Sequence, residues 1–304
     1  MSDATPTILL LGATGQVGHE LRRTLAPLGT VQAPGRDEVD LAAADTLRRA
    51  VVETEPVLIV NAAAYTDVDG AEGEPERAAQ LNAEAPRVLA EAARETEAWL
   101  VHYSTDYVFD GEKRTPYTEE DAPNPINVYG RTKREGEQAL QEIGGRSVIL
   151  RSSWVYSDRR SNFVRTMLQL ADERDHLTVV DDQIGVPTWA GWCAEATASI
   201  CDRLLTTDDA SQAGIYHLTG TGQTSWYGFA RAIFAQFGRT DVTVEPVSSD
   251  EYATEAARPA YSALDSSRAR SAFDLPDTPW TAQLARLREH VASLGDGTAP
   301  FDEA

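Results

Sequence analysis

Thr7-Ile8-Leu9-Leu10-Leu11-Gly12-Ala13-Thr14-Gly15-Gln16-Val17-Gly18 places a short apolar run directly before three glycines spaced three apart. An apolar run with no polar alternation predicts a strand buried on both faces, as in a parallel sheet. Residues 16–25 then carry a helical pattern. A strand, a glycine turn and a helix together predict a site for a dinucleotide diphosphate. Gly12 permits the tight turn, Gly15 lets the diphosphate approach the backbone, and Gly18 lets the helix pack against the strand. The helix start at Gln16 and Val17 offers free N–H groups and the positive end of the helix dipole. The spacing is GxxGxxG rather than GxGxxG.

Outward from this unit, strand-like runs at 57–60, 98–103 and 147–150 alternate with helical stretches at 75–96 and 129–143. That alternation predicts an α/β fold, a Rossmann-like doubly wound parallel sheet. After about residue 153 the pattern loosens into turn-rich segments, with helices expected over 162–174, 189–205 and 226–237 and strands over 177–180, 215–218 and 242–247. We expect residues 1–153, completed by 189–220, to form the dinucleotide-binding domain. Residues 154–188 and 221–304 are expected to form a smaller, discontinuous substrate-binding lobe over the sheet's C-terminal edge.

The second strand, near 30–33, ends without a clean acidic residue; Pro34-Gly35-Arg36-Asp37 follows. An arginine there would pair with a ribose 2′-phosphate, whereas a carboxylate would bind the 2′-hydroxyl. Arg36 therefore points to NADPH, with NADH left open, and Asp40 and Leu41 are placed at the adenine edge.

Charge narrows the function classes. The chain has 304 residues, 48 acidic and 27 basic, for a formal charge of −21. A chain so acidic is not expected to bind nucleic acid or an anionic membrane surface. No apolar run reaches the roughly 18 residues of a membrane span, and the N-terminus has no positively charged leader region, so a cytoplasmic location is expected. Only two of the basic residues, Lys113 and Lys133, are lysines. Diffuse acidity with scarce lysine suggests adaptation to high salt, where screening acts over about 3 Å at 1 M. Cys193 and Cys201, two helical turns apart, are read as core.

One of the two lysines stands four residues after a tyrosine, in Tyr129-Gly130-Arg131-Thr132-Lys133. On a helix these side chains share a face. A phenol ionises near pH 10. A cation nearby favours the phenolate, and a shift of about three units needs roughly 4 kcal/mol.

Together the glycine pattern and this Tyr-Lys pair resemble the extended short-chain dehydrogenases/reductases. Further segments narrow the likeness: Asn61-Ala62-Ala63-Ala64-Tyr65-Thr66-Asp67-Val68-Asp69, His102-Tyr103-Ser104-Thr105-Asp106-Tyr107, Arg151-Ser152-Ser153-Trp154, Asp181-Asp182-Gln183 and Arg258-Pro259-Ala260-Tyr261. With these, residues 7–290 are similar to the dTDP-4-dehydrorhamnose reductases. The resemblance implies reduction of a nucleotide-sugar C4 ketone by NADPH or NADH. It implies Tyr129 as proton donor, Lys133 binding the nicotinamide ribose and lowering the Tyr129 pKa, and Thr105 polarising the ketone, with Ser104 as fallback. It also implies Ala62, Ala63 and Ala64 at the cofactor. Val68 and Asp69, in a loop after the fourth strand, Tyr107 and Trp154 are implied at the sugar, and Arg258 at the diphosphate. His102 and His217 are read as structural. Some family members hold Mg²⁺ between subunits through acidic residues after the Pro-Thr step. Here Pro187-Thr188-Trp189-Ala190-Gly191 has no carboxylate until Glu195, so no metal is expected and a homodimer stays open. Two other readings remain: a non-catalytic subunit like the methionine adenosyltransferase β subunit, or another nucleotide-sugar reductase or epimerase of the extended group.

Overall fold

In the computed structural model, which describes residues 5–252 and 254–294, the apolar runs become a six-stranded parallel sheet. The strands are β1 (Thr7–Leu11), β2 (Thr30–Gln32), β3 (Leu58–Asn61), β4 (Trp99–Thr105), β5 (Ser147–Ser152) and β6 (Gly214–His217), ordered β2-β1-β3-β4-β5-β6. Met1 to Ala4 and residues 295–304, which the sequence reading assigned to the two domains, lie outside the described residues.

Strand alternation sorts the core into two layers. Ile8, Leu10, Leu58, Val60, Trp99, Val101, Val148 and Leu150 join one cluster. It includes Leu21 of α1 (Gln16–Thr24) and Cys193, Ala196, Ile200 and Cys201 of α5 (Ala190–Thr207). Leu9, Leu11, Ile59, Leu100 and Ile149 join the other. That layer is closed by α2 (Ala44–Thr54), α3 (Ala85–Glu95) and Leu140 of α4 (Val128–Ile143). Both cysteines are buried free thiols. Helices on both faces explain why the strands read as unbroken apolar runs.

Two elements differ from expectation. The helix expected over 75–96 is broken by a π turn, Gln80–Glu84, between Pro75–Ala79 and Ala85–Glu95. Pro86 has no N–H to donate to the Asn82 carbonyl, which frees that turn to widen. Asn82 turns inward, bonding the Tyr65 backbone and Thr132. A Cβ on Gly136 would overlap the Asn82 carbonyl, so α4 crosses here at backbone contact distance. Second, Val68 and Asp69 follow the third strand, not the fourth, and start a short helix, Val68–Gly73, whose N-cap is Asp67. The capping carboxylate accepts the Gly70 N–H at 2.9 Å.

Beyond β5 the chain forms small two-stranded sheets, among them Thr243–Val247 paired in parallel with His176–Val180. After α5, Trp226–Phe237 and Trp280–Leu294 are the longer helices of this part. The C-terminal ends of β3, β4 and β5 face it, and there the polar residues gather.

Candidate active site

The glycine turn is shaped for a dinucleotide. Gly12 sits at φ +82°, and a Cβ there would lie 2.6 Å from the Ala63 nitrogen. A Cβ on Gly18 would collide with the Gly12 carbonyl. So the turn, the Ala62-Ala63-Ala64 loop and α1 approach so closely that side chains are excluded. Gly15 caps α1 without a side-chain hydrogen bond, and no acidic residue occupies the first turn. The first-turn N–H groups and the helix dipole are thus available to a diphosphate, and the residues present fit one. Gln16 turns aside: its carbonyl accepts from Ser157 at 2.8 Å and its amide approaches the Val155 carbonyl at 3.4 Å. Arg160, which sequence reasoning passed over, donates through Nε to the Thr14 carbonyl at 3.0 Å and brings a cation to the turn. Arg36 is exposed after β2. Asp40 accepts the Ala42 N–H at 3.0 Å, so its carboxylate serves the local turn, and Leu41 packs at the edge of the core.

On α4, Asn127 caps the helix by accepting the Gly130 N–H at 2.7 Å, and the spacing of four aligns Tyr129, Lys133 and Glu137. A Cβ on Gly130 would overlap the Tyr107 carbonyl, so the helix start lies against the segment after β4. Tyr129 and Tyr107 meet edge to face at 5.8 Å. Burial pushes the Tyr129 phenol up to about 12; its hydrogen bond with Thr105 lowers it and the Asp106 carboxylate raises it. Lys133 is not among the groups acting on it. Its Nζ donates to the Tyr103 carbonyl at 2.6 Å and lies 3.4 Å from His102 Nε2. Here the phenol is raised rather than lowered, and the Lys133 amine donates to a backbone carbonyl. Burial also pulls Lys133 down to about 8, against the pull of Glu137.

Thr105 ends β4, donating to Asp106 Oδ1 at 3.0 Å and accepting the Tyr107 N–H at 3.2 Å. Asp106, beside it, was not assigned to the site from sequence. It is 2% exposed, and its Oδ2 has no partner among the described residues. Burial raises its pKa to about 7, opposed by hydrogen bonds from Ser262 and Thr105. The only signal in the sequence was a carboxylate directly after the candidate hydroxyl.

Three substrate-side expectations change. Ser104 points the other way along the strand, donating to Glu137 Oε1 at 2.6 Å, so it cannot stand in for Thr105. Glu137 also takes Arg151 through Nε and NH2, both at 2.7 Å, in a fully buried pair. Asp69 accepts the Ala256 N–H at 2.9 Å and pairs with Arg258 at 2.7 Å. Burial would raise the Asp69 carboxyl, but Ala256 and Arg258 outweigh it and hold it low. These two residues, expected to meet the ligand separately, instead clamp the 256–258 segment over Val68–Gly73. Trp154, at φ +47°, stacks on Trp226 at 3.5 Å, so one face of its ring is covered.

Glu195, the first carboxylate after Pro187-Thr188, is held by Arg286 at 2.8 and 2.9 Å. Among the described residues one trio, Glu20, Asp158 and His290, brings ligand-type atoms within 4.8 Å of one another. A cavity of about 600 Å³ lies at the opposite, N-terminal end of the strands, against Trp99 and Arg146.

Residues 6–293 match the RmlD substrate binding domain family. The chain is 45% identical to the dTDP-4-dehydrorhamnose reductase of Burkholderia thailandensis, over 91% of this chain and 97% of the relative. It is 43% identical to the Escherichia coli K12 protein of the same name, over 92% and 96%. The crystal structure of the Bacillus anthracis dTDP-4-dehydrorhamnose reductase in complex with NADP superposes with a TM-score of 0.87 at 36% identity, covering 94% of this chain and 99% of that one. The chain belongs to the dTDP-4-dehydrorhamnose reductase family.

Proposed function

We propose that this chain reduces the C4 ketone of dTDP-4-dehydro-β-L-rhamnose to dTDP-L-rhamnose, using NADPH, with NADH as a possible substitute. The observation that carries the reading is the meeting of Thr105, Tyr129 and Lys133 at the C-terminal ends of β3 to β5, beside a glycine turn built for a dinucleotide. The bound dinucleotide supplies the hydride to C4. Tyr129 and Thr105, its hydroxyl turned from Asp106 to the substrate, bind the ketone oxygen, so charge developing on it meets two donors. Tyr129, holding its proton well above neutral pH, gives it to the oxygen as the alkoxide forms. Lys133 holds the ribose of the cofactor, with its amine braced by the Tyr103 carbonyl.

Gly12, Gly15, Gln16, Val17, Gly18 and the Ala62-Ala63-Ala64 loop form the diphosphate and ribose cradle in this reading, and Arg36 meets the 2′-phosphate. Tyr107 and the uncovered part of Trp154 offer apolar surface to the deoxysugar. Arg258 meets the substrate diphosphate from its seat on Asp69. The lobe of 154–188, 221–252 and 254–294 closes over the sheet. We further read the protein as cytoplasmic and adapted to high salt, on its acid excess and scarce lysine. No helix among the described residues is long and apolar enough to cross a membrane.

A spectrophotometric screen of nucleotide 4-keto-sugars with NADPH and NADH tests the reading. Oxidation of NADPH by dTDP-4-dehydrorhamnose is expected; a chain that binds NADPH yet oxidises it with none of the 4-keto-sugars contradicts it.

A further inference from the structure

Behind Lys133 a string of hydrogen bonds runs across the sheet to the loop after β3. The Ala63 N–H donates to Asn61 Oδ1 at 3.1 Å, which orients the amide and leaves Nδ2 as the outward donor. Nδ2 lies 3.1 Å from His102 Nδ1. An amide NH₂ can only donate, so Nδ1 must be the bare nitrogen, and a neutral imidazole then carries its proton on Nε2. His102 is fully buried, and burial together with Lys133 holds it well below its ordinary value, so it is neutral. Its Nε2 faces Lys133 Nζ at 3.4 Å. Register explains the alignment: Asn61 and His102 are direct partners on β3 and β4, and both turn toward α4.

An ordinary lysine pocket offers acceptors. Here the Tyr103 carbonyl is one, but the imidazole edge presents an N–H, so two donors oppose each other whenever Lys133 carries three protons. Among the described neighbours, Arg151 of β5 is taken up by Glu137, Tyr103 of β4 turns its phenol to Thr197, and two titratable groups of α4 lie one turn from Lys133. Glu137, one turn on, attracts the ammonium, but its oxygens already bind Ser104, Arg134 and Arg151. Tyr129, one turn before, stays a neutral phenol. We propose that His102 is a positioning residue of this reaction: held by Asn61 with its proton on Nε2, it turns a donor toward Lys133 and so disfavours the full ammonium. The string also joins the Ala62-Ala63-Ala64 loop to Lys133, which links the seating of the cofactor to the amine. This inference rests on the reductase reading for its catalytic meaning, but not for its geometry.

His217 supplies an internal contrast. Its Nδ1 lies 3.1 and 3.2 Å from the carbonyls of Tyr117 and Asp265, so its proton is on Nδ1, and Nε2 faces Arg151. ¹⁵N NMR of histidine-labelled wild-type protein should therefore show two non-titrating imidazoles of opposite tautomer. His102→Gln removes the Nε2–H signal and identifies it. His102→Leu, which removes the opposing N–H without supplying another donor, should move the basic limb of the kcat/KM profile upward by about one pH unit. Two buried imidazoles both protonated on Nδ1 would overturn the proposal, as would a basic limb that stays in place in His102→Leu. The tautomer measurement uses the unaltered protein, so it decides even if the variant does not fold. Failure of the reductase reading would show separately, as absent turnover in the wild type with the tautomers unchanged.

Discussion

In the proposed reaction Tyr129 gives the proton; burial keeps its phenol protonated, and the Asp106 carboxylate raises it further. When Asp106 ionises, its charge makes the phenol harder to deprotonate. Asp106 titrates near 7, its folded value raised by burial. Reduction should therefore slow as pH rises through about 7, and Asp106→Asn should remove that inflection from the kcat/KM profile while leaving any limb that belongs to Lys133. At this scale the sequence was informative about residue types and silent about their partners. The Tyr-Lys spacing located the helix face, since i and i+4 positions must align. What it could not reveal was that the Tyr103 carbonyl takes the Lys133 ammonium, that Glu137 takes Ser104, and that Arg258 takes Asp69. Each of those partners is distant in sequence or is backbone, and a one-dimensional pattern carries neither.

Among the elements, the strand-turn-helix unit at the N-terminus is tightly constrained. Gly18→Ala would drive a methyl group into the Gly12 carbonyl. Overpacking of this kind costs about 1–3 kcal/mol, so a lowered melting temperature and weaker NADPH binding should appear together in calorimetry and fluorescence titration. The pair beneath the site makes a second prediction. Glu137→Ala leaves the Arg151 guanidinium buried and unpaired, a loss on the order of 3–5 kcal/mol in denaturant unfolding. Burial would raise the Glu137 carboxyl, but Arg151, Ser104 and Arg134 together hold it below its ordinary range. A depressed carboxylate stabilises the fold above its unfolded value, near 4.3. That contribution is present at neutral pH and fades as pH falls below about 4, and the alanine variant should lack this acid-dependent part. The periodic strands and long helices were legible because burial on both faces imposes the pattern. The π turn and the Val68–Gly73 helix were not, since they depend on Pro86 and on a local Asp67 cap rather than on periodicity.

For the whole molecule, a formal charge of −21 sets self-repulsion against compactness. The melting temperature should rise between low and molar KCl in differential scanning calorimetry; a flat or falling curve would remove the high-salt reading. The same field opposes an anionic nucleotide sugar, which gives weight to the few cations near the cleft, Arg160 at the glycine turn and Arg258 on its Asp69 seat. The central claim is that hydride arriving at C4 is matched by a proton from Tyr129. Its most direct test is a single-turnover experiment with NADPH dideuterated at nicotinamide C4 and dTDP-4-dehydrorhamnose, comparing wild type with Tyr129→Phe. The wild type should give dTDP-L-rhamnose with one deuterium at C4 per NADP⁺ formed, and the variant should bind NADPH normally but turn over about 10²–10⁴ times more slowly. Turnover by Tyr129→Phe at the wild-type rate, or product without deuterium at C4, would contradict it.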